Sequence, residues 1–183
     1  MKAETCITAF TGRTIDYTLM TPDDVDPLDI AHALSLQCRY AGHCGVFYSV
    51  AQHSTLVSHY VPPRFALQGL LHDAMEAYLT DIPRGLKALP ELAGYRKLER
   101  QLWKIIATAF KLPRKLHPSV LKIDDQIVEN EKLVLFDHGD QRFINSESLL
   151  PFRLEPLDAI DAEKDWLERF YFLRSDWRRK GQD

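Results

Sequence analysis

Several side chains that could do chemistry lie close together between Leu70 and Pro83, in the stretch LLHDAMEAYLTDIP. If this stretch is helical, His72 and Glu76 lie one turn apart on one face, and Asp73 points about 100° away from His72. A small object beside the helix can still contact His72 and Asp73 together. An imidazole nitrogen and a carboxylate oxygen are both good ligands of a divalent metal ion. The stretch therefore predicts part of a metal site.

The elements that must position these side chains are predicted to be mostly helices. Apolar residues at helical spacing predict helices that begin near Pro27, Ser49, Arg64, Pro90, Pro118 and Leu157. Residues 5–19 alternate around a Thr-Gly pair, which predicts a β-hairpin. Pro83 is expected to end or kink the third helix. Residues 137–156, with a glycine and two prolines, predict a long surface loop.

Length and composition favour one mostly α-helical domain. The 183 residues, 45% of them hydrophobic, suffice for a real core. We expect a hairpin within residues 1–20, a helical core over 27–136 and a C-terminal helix over 157–180. The 23 basic residues are interspersed with 26 acidic ones, for a net charge of -3, so neither a nucleic-acid polymer nor a membrane surface is an expected partner.

Cysteine usage and hydropathy bear on the compartment. The sequence has three cysteines and no CxxC pair, which favours a reducing compartment over a disulfide framework. No apolar run has the length of a signal peptide core or of a membrane span. We therefore expect a cytoplasmic protein.

Other predicted helices carry residues that could complete the metal site. His53 lies in the second helix, and Asp124 and Asp125 lie in the helix that begins near Pro118. With His72 and Asp73, they offer four nitrogen and oxygen ligands from three helices, enough for a divalent transition metal with room for water. Because the chain has seven histidines and many carboxylates, residue types alone favour satisfied core or capping groups over a metal site.

Five segments in a fixed order favour a metal site over core or capping groups. They are FTGR at 10–13, RYAGH at 39–43, FYSVAQHS at 47–54, LHDAMEAY with DIP at 71–83, and KIDD at 122–125. In this order they resemble the HD-domain metal-dependent phosphohydrolases. Within these, they are similar to the bacterial and phage branch of 5'-deoxyribonucleotidases of the YfdR and YfbR type. The resemblance implies an all-α HD-type fold across the chain.

The resemblance also implies a set of metal ligands. The residues that match the family's ligand positions are His53, His72, Asp73 and Asp125. Asp125 is preferred over Asp124 because the family pattern places an apolar or small residue before the ligand, although Asp124 itself departs from that pattern. These residues would hold one divalent transition-metal ion, with cobalt, manganese, zinc, nickel and iron all open.

Catalytic and substrate-binding roles follow from the same resemblance. Glu76 matches the carboxylate that orients or deprotonates the attacking water, and Asp81 matches the acid that serves the leaving alkoxide. Arg39 matches an arginine that grips phosphate through parallel hydrogen bonds. Tyr40 follows where related enzymes place an aromatic ring against the sugar, which would favour deoxyribose; ordinary packing is the alternative. Lys87 is a candidate second phosphate contact or a solvated side chain.

The function implied is metal-dependent release of phosphate from 2'-deoxyribonucleoside 5'-monophosphates. One alternative within the same chemistry is removal of triphosphate from deoxynucleoside triphosphates, as in related phage enzymes that act on dATP. An alternative of another class is a nucleotide-binding regulator that keeps the fold without turnover. Relatives of this kind also imply a homodimer or a larger homo-oligomer.

Two other patterns have simpler interpretations. A structural zinc site is disfavoured because the spacing matches no usual ligand pattern; its members would be Cys38, His43, Cys44 and His53. His43 has no assigned role. A helically spaced C-terminal stripe predicts core or subunit-interface packing rather than a ligand groove; it consists of Trp166, Phe170, Leu173 and Trp177.

Overall fold

The computed structural model describes residues 5–136 and 144–180, with the side chains of the last helix described up to Ser175. The fold is mostly helical with one short antiparallel β-hairpin, which confirms the predicted fold class. The strands are β1 (Cys6–Thr8) and β2 (Thr14–Asp16), with Ile7 opposite Ile15. The helices are α1 (Pro27–Leu36), α2 (Val50–Tyr60), α3 (Ala66–Leu71), α4 (Glu76–Leu79), α5 (Arg84–Lys87), α6 (Ala93–Ala109), α7 (Pro118–Leu135) and α8 (Ala159–Lys180).

Capping residues fix where the helices that carry the site begin. The Ser49 hydroxyl accepts from the backbone N–H of Gln52 at 3.1 Å, at the start of α2. The His117 ring accepts from the backbone N–H of Ser119 at 3.2 Å, and Pro118 occupies the first position of α7. Side-chain acceptors at this position satisfy backbone donors that have no intrahelical partner, and proline suits the first helical position. These caps set the register of the site residues on α2 and α7.

Helix α2 lies in the middle of the fold and packs against α1, α3, α7 and α8. The main core contains Leu70 and Leu71 from α3 and Trp166 and Phe170 from α8. The predicted C-terminal stripe therefore packs in the core as far as Leu173, while the side chain of Trp177 lies outside the described part. In the described chain, no helix combines the length and apolar character needed to cross a membrane.

The third predicted helix is interrupted where the site residues lie. Helix α3 ends at Leu71 and α4 begins at Glu76, so the expectation of one helix through His72 and Asp73 is wrong. Between the two helices, backbone N–H groups bond three residues back, as from Glu76 to Asp73 at 2.9 Å. Bonds of this kind are those of a 3-10 turn, which is tighter than an α-helix and often marks a functional site when it interrupts one.

The predicted loop over residues 137–156 is only partly described. Residues 137–143 lie outside the described part, and residues 144–156 contain a single short 3-10 turn, Ser146–Ser148. Asn130 on α7 holds this segment, because its side-chain amide accepts from the Leu150 N–H at 2.9 Å and donates to the Leu150 carbonyl at 3.0 Å. The described part therefore agrees with the predicted loop.

Replacing Gly69 by Ala is expected to lower the free energy of unfolding by about 1–3 kcal/mol. A Cβ at Gly69 would lie 3.1 Å from the Val61 Cγ2 and 3.2 Å from the Ser58 Cα, where α3 crosses α2 closely. Gly94→Ala on α6 is the matched control, because outside its chain neighbours and its own helix backbone a Cβ there would meet no described atom within 4 Å. The control should gain up to about 1 kcal/mol from helix propensity. Urea unfolding of both variants checks this, and equal effects would contradict it.

Candidate functional site

Two histidines and two aspartates, carried by α2, α7 and the turn after α3, face one another. The His53 Nε2 lies 3.1 Å from the Asp124 Oδ1 and 3.8 Å from the Asp73 Oδ2. The His72 Nε2 lies 3.2 Å from the Asp73 Oδ2 and 3.9 Å from the Asp124 Oδ1. Ligand atoms around a metal with bonds of about 2.1 Å are themselves about 3.0–3.4 Å apart. The cluster therefore has the dimensions of a metal site that is slightly open.

The two histidines have the hydrogen bonds that metal ligands need. Both rings are buried, and neither Nε2 has a hydrogen-bond partner in the described structure. Both Nδ1 atoms are engaged, that of His72 with the Gly69 carbonyl oxygen at 2.8 Å and that of His53 with the Glu131 Oε1 at 2.6 Å. A carbonyl oxygen only accepts, so the His72 Nδ1 carries a hydrogen and a neutral ring presents its Nε2 lone pair. The residues fit a divalent metal ion.

The electrostatics of the cluster favour added positive charge. Burial opposes protonation of His72, but Asp73 and Asp124 outweigh it and raise the pKa of His72 to about 9. Against burial, His72, His53 and Arg39 hold the pKa of Asp73 far below its usual range. Without a metal the cluster therefore holds a proton that a divalent cation must displace, so metal affinity should fall as pH falls.

Of the two adjacent aspartates on α7, the structure brings Asp124 and not the predicted Asp125 to the histidines. Asp125 is 61% exposed in its side chain, and its Oδ1 accepts from the Arg84 guanidinium at 2.6 Å, away from the histidines. Asp124 instead faces the cluster. Helical periodicity distinguishes the two aspartates. Asp124 lies on the same side of α7 as the buried residues Ile127 and Glu131, whereas Asp125 is rotated from that side by about 100°. The preference for Asp125 followed the family pattern rather than this periodicity.

Sequence reasoning missed Glu131, which lies directly behind the cluster. Its side chain is fully buried. Besides the His53 contact, the Glu131 Oε2 accepts from the Arg39 Nε at 3.3 Å and from the Tyr40 hydroxyl. Although burial alone would raise it, Arg39 and His53 hold the pKa of Glu131 well below its usual range. Its spacing of seven residues from Asp124 on one face of α7 is the signal that could have found it.

A cleft of about 470 Å³ opens beside the cluster. The predicted site residues that line it are Arg39, Tyr40, Asp73, Glu76, Asp81 and Lys87, together with Asp124. Elsewhere, a larger cavity of about 680 Å³ beside Phe47 is lined mostly by apolar side chains. Charge and titratable groups, rather than volume, therefore mark the first cleft as the candidate site.

Glu76 is buried in the wall of the cleft. Its Oε1 accepts from the Lys87 ammonium at 2.8 Å, and its Oε2 has no partner in the described structure. Burial raises the pKa of Glu76 well above its usual value, Asp73 and Asp81 add to this, and Lys87 opposes it. Lys87 also contacts the Glu99 Oε1 at 2.8 Å. Lys87 is thus held between two carboxylates, and its phosphate contact stays a prediction.

Gln37, directly after α1, bonds the backbone of the two residues predicted to be catalytic, Glu76 and Asp81. Its side-chain amide donates to the Glu76 carbonyl oxygen at 3.0 Å and accepts from the Asp81 backbone N–H at 2.9 Å. Thr80 between them has a φ of 73°, a conformation that few residues other than glycine adopt. Burial raises the pKa of Asp81 above its usual value. Sequence reasoning gave Gln37 no role.

The alternative zinc group is not assembled among the described residues. The Cys38 and Cys44 sulfurs lie 3.4 Å apart, but His43 is exposed and His53 belongs to the other cluster. Within residues 5–136 and 144–175, His53, His72 and Asp73 form a group whose ligand atoms lie within 4.8 Å of one another. Asp124 lies beside this group, 3.1 Å from the His53 Nε2.

Replacing Lys87 by Met is expected to move the acidic limb of the pH–rate profile to higher pH, if the chain catalyses the phosphate release expected from its sequence. If Glu76 acts as a base it must be ionised, and Lys87 is the neighbour that lowers its pKa. Without Lys87 the pKa of Glu76 rises further, so more alkaline solution is needed to ionise it. Lys87→Arg keeps the charge and should leave the limb near its wild-type position. A limb that does not move in the Met variant would show that Glu76 is not the titrating base.

Comparison with known proteins gives relatives of the chain. The chain is similar to the uncharacterised protein YfdR of Escherichia coli (strain K12). The two are 45% identical over 107 residues, 58% of this chain and 59% of YfdR. An uncharacterised protein of Rhodobacter capsulatus is 36% identical over 120 residues, 61% of this chain and 60% of that protein. No family model matches the chain.

The chain spans about three-fifths of the length of the curated relatives it matches. The resemblance to YfdR is confirmed to that extent. The names of these relatives state no activity, so the function has to be inferred from the geometry of the site.

Proposed function

We propose that the protein is a divalent-metal-dependent phosphohydrolase of the HD-domain type that releases phosphate from 2'-deoxyribonucleoside 5'-monophosphates. The observation that carries the proposal is the pair of buried Nε2 atoms of His53 and His72, without hydrogen-bond partners in the described structure, facing Asp73 and Asp124. The ligand set proposed is therefore the two histidines, Asp73 and Asp124. A divalent cation held there would draw phosphoryl oxygens close and lower the pKa of water near them.

Glu76 and Asp81 are proposed to divide the proton transfers. Burial and neighbouring carboxylates raise the pKa of Glu76, which makes it a stronger base for the attacking water. Asp81 is proposed to donate a proton to the 5' oxygen as it leaves. Burial raises the pKa of Asp81 as well, so the division of the base and acid roles between Glu76 and Asp81 rests on the family resemblance. The amide of Gln37 fixes the backbone at both residues, so their separation is set by α1.

Arg39 and Tyr40 are proposed to position the substrate. The Arg39 Nε and Nη2 are held by Glu131, while its Nη1 lies 3.7 Å from the Asp73 Oδ2, at the edge of the cluster where phosphate oxygens would lie. The Tyr40 hydroxyl is bonded to Glu131. The hydrogen of this hydroxyl is therefore engaged and cannot be donated to a ribose 2'-hydroxyl. The preference for deoxyribose is proposed to come from packing of the Tyr40 ring against the sugar.

The pairing of the other basic residues supports one phosphate over three. Lys87 is held by Glu76 and Glu99. The Arg84 guanidinium contacts the Asp125 Oδ1 at 2.6 Å and the Asp124 Oδ2 at 3.2 Å. Each added phosphate brings negative charge that needs a cation or donor of its own. The alternative of triphosphate removal therefore has less support than monophosphate hydrolysis.

The test is a product assay on the purified chain loaded in turn with cobalt, manganese, zinc, nickel or iron. Deoxyribonucleoside and ribonucleoside mono- and triphosphates are supplied, and orthophosphate, pyrophosphate and tripolyphosphate are resolved. The expected result is metal-dependent orthophosphate release from deoxyribonucleoside monophosphates that is lost in Asp73→Asn. Tripolyphosphate as the product would select the triphosphatase alternative. Tight nucleotide binding without any product would select the regulator. A homo-oligomeric state and a cytoplasmic location stay predictions.

A further inference from the structure

We propose that Glu131 is a positioning residue that orients His53 and keeps the Arg39 guanidinium away from Asp73. The inference rests on the metal site proposed above and concerns the residues behind it. Glu131 does not line the cleft, so it acts through its neighbours rather than on substrate.

Glu131 is a fully buried carboxylate with three donors around it. Its Oε1 contacts the His53 Nδ1 at 2.6 Å, and its Oε2 contacts the Tyr40 hydroxyl and the Arg39 guanidinium. An ionised carboxylate in the interior is costly unless charges and hydrogen bonds compensate it. One residue therefore joins a proposed metal ligand to both proposed substrate contacts.

The contact with His53 sets which ring nitrogen faces the cluster. A carboxylate accepts, so the hydrogen of a neutral His53 lies on Nδ1 and the lone pair on Nε2. That Nε2 lies 3.1 Å from the Asp124 Oδ1. Partners of this kind behind a metal-binding histidine typically contribute about 10–100-fold in metal affinity or activity.

The contact with Arg39 has a second consequence. Arg39 lies between two carboxylates, with its Nη2 3.3 Å from the Glu131 Oε2 and its Nη1 3.7 Å from the Asp73 Oδ2. Arg39 itself is 9% exposed. If Glu131 loses its charge, Asp73 is the carboxylate that remains within 4 Å of this nearly buried cation in the described structure. Arg39 then pairs more closely with Asp73 and withdraws a ligand oxygen from the metal.

The test measures metal affinity rather than activity. Cobalt(II) is titrated into the full chain and followed by visible absorbance, for the wild type, Glu131→Gln, and Glu131→Gln combined with Arg39→Met. Glu131→Gln should weaken cobalt binding by about 10–100-fold. Adding Arg39→Met to it should recover part of that loss, because the competing cation is gone. In the wild-type background Arg39→Met should not produce that gain.

Two further variants keep the outcome decisive. Asn130→Ala alters a buried neighbour on α7 that bonds the Leu150 backbone, so it should lower stability and leave cobalt affinity unchanged. Glu131→Asp is included in case Glu131→Gln does not fold. It keeps the negative charge but shortens the side chain, so it should weaken cobalt binding, and Arg39→Met should not restore that binding. Wild-type cobalt affinity in both Glu131 variants would overturn the inference, and absence of recovery with Arg39→Met would overturn its Arg39 part. If the wild type itself binds no cobalt, the proposed function fails instead.

Discussion

Glu76→Gln is expected to lower kcat by about 10²–10⁴-fold while the chain keeps its metal. Glu76 lines the cleft but lies outside the group that faces the two histidines. The amide has nearly the same shape and cannot take up a proton from water. Steady-state kinetics with a deoxyribonucleoside monophosphate, alongside a cobalt titration, measure the two quantities separately.

Glu99→Gln is the matched control for that variant. Glu99 contacts the same Lys87 ammonium at the same 2.8 Å, yet it does not line the cleft. The same chemical change should therefore leave kcat within a few-fold of wild type, as expected for a charge pair outside the reaction. Equal losses in the two variants would assign the effect to Lys87 rather than to a base, and loss of metal in Glu76→Gln would place Glu76 in the metal site.

Asp124→Asn is expected to weaken metal binding by at least about 100-fold and to remove hydrolysis with it. Asp125→Asn should leave metal binding and hydrolysis nearly unchanged. The two residues are adjacent on α7 and both contact Arg84, so the comparison cancels the loss of that contact. They differ in that Asp124 lies 3.1 Å from the His53 Nε2, whereas the Asp125 side chain is 61% exposed.

The shift of the melting temperature with added cobalt gives an independent measure of that binding. A ligand that binds only the folded state stabilises it by RT ln(1 + [L]/Kd). At a cobalt concentration that just saturates the wild type, the shift should be of similar size in Asp125→Asn and much smaller in Asp124→Asn. The opposite pattern would restore Asp125 as the ligand and contradict the geometry of α7.

Four predicted site residues lie close together in the chain, and the family resemblance rather than the local pattern gave them their roles. His72, Asp73, Glu76 and Asp81 fall within ten residues, and the structure places all four beside one cleft or cluster. The helices and their starting points followed from apolar spacing and caps. The break between α3 and α4 did not, because the residues from His72 to Met75 include neither proline nor glycine.

The partners that come from distant segments were not predictable in this way. Gln37 contacts Glu76 across 39 positions, and Glu131 contacts His53 across 78. Nothing in the local sequence marks Gln37 as more than a polar side chain at a helix end. The spacing of Glu131 from Asp124 places both on one face of α7, but it does not show that Glu131 meets His53. The sequence did not decide whether Lys87 contacts phosphate or is solvated. Its pairing with Glu99 depends on α5 meeting α6, which the local sequence does not show.

Hydrolysis in ¹⁸O-labelled water, followed by ³¹P NMR, tests the proposed phosphohydrolase activity most directly. The metal-loaded chain is incubated with a 2'-deoxyribonucleoside 5'-monophosphate until orthophosphate accumulates. The proposal predicts that the label is in the orthophosphate, because water attacks phosphorus and the 5' oxygen leaves with the nucleoside. Unchanged substrate with metal demonstrably bound, or label in the nucleoside, would contradict it.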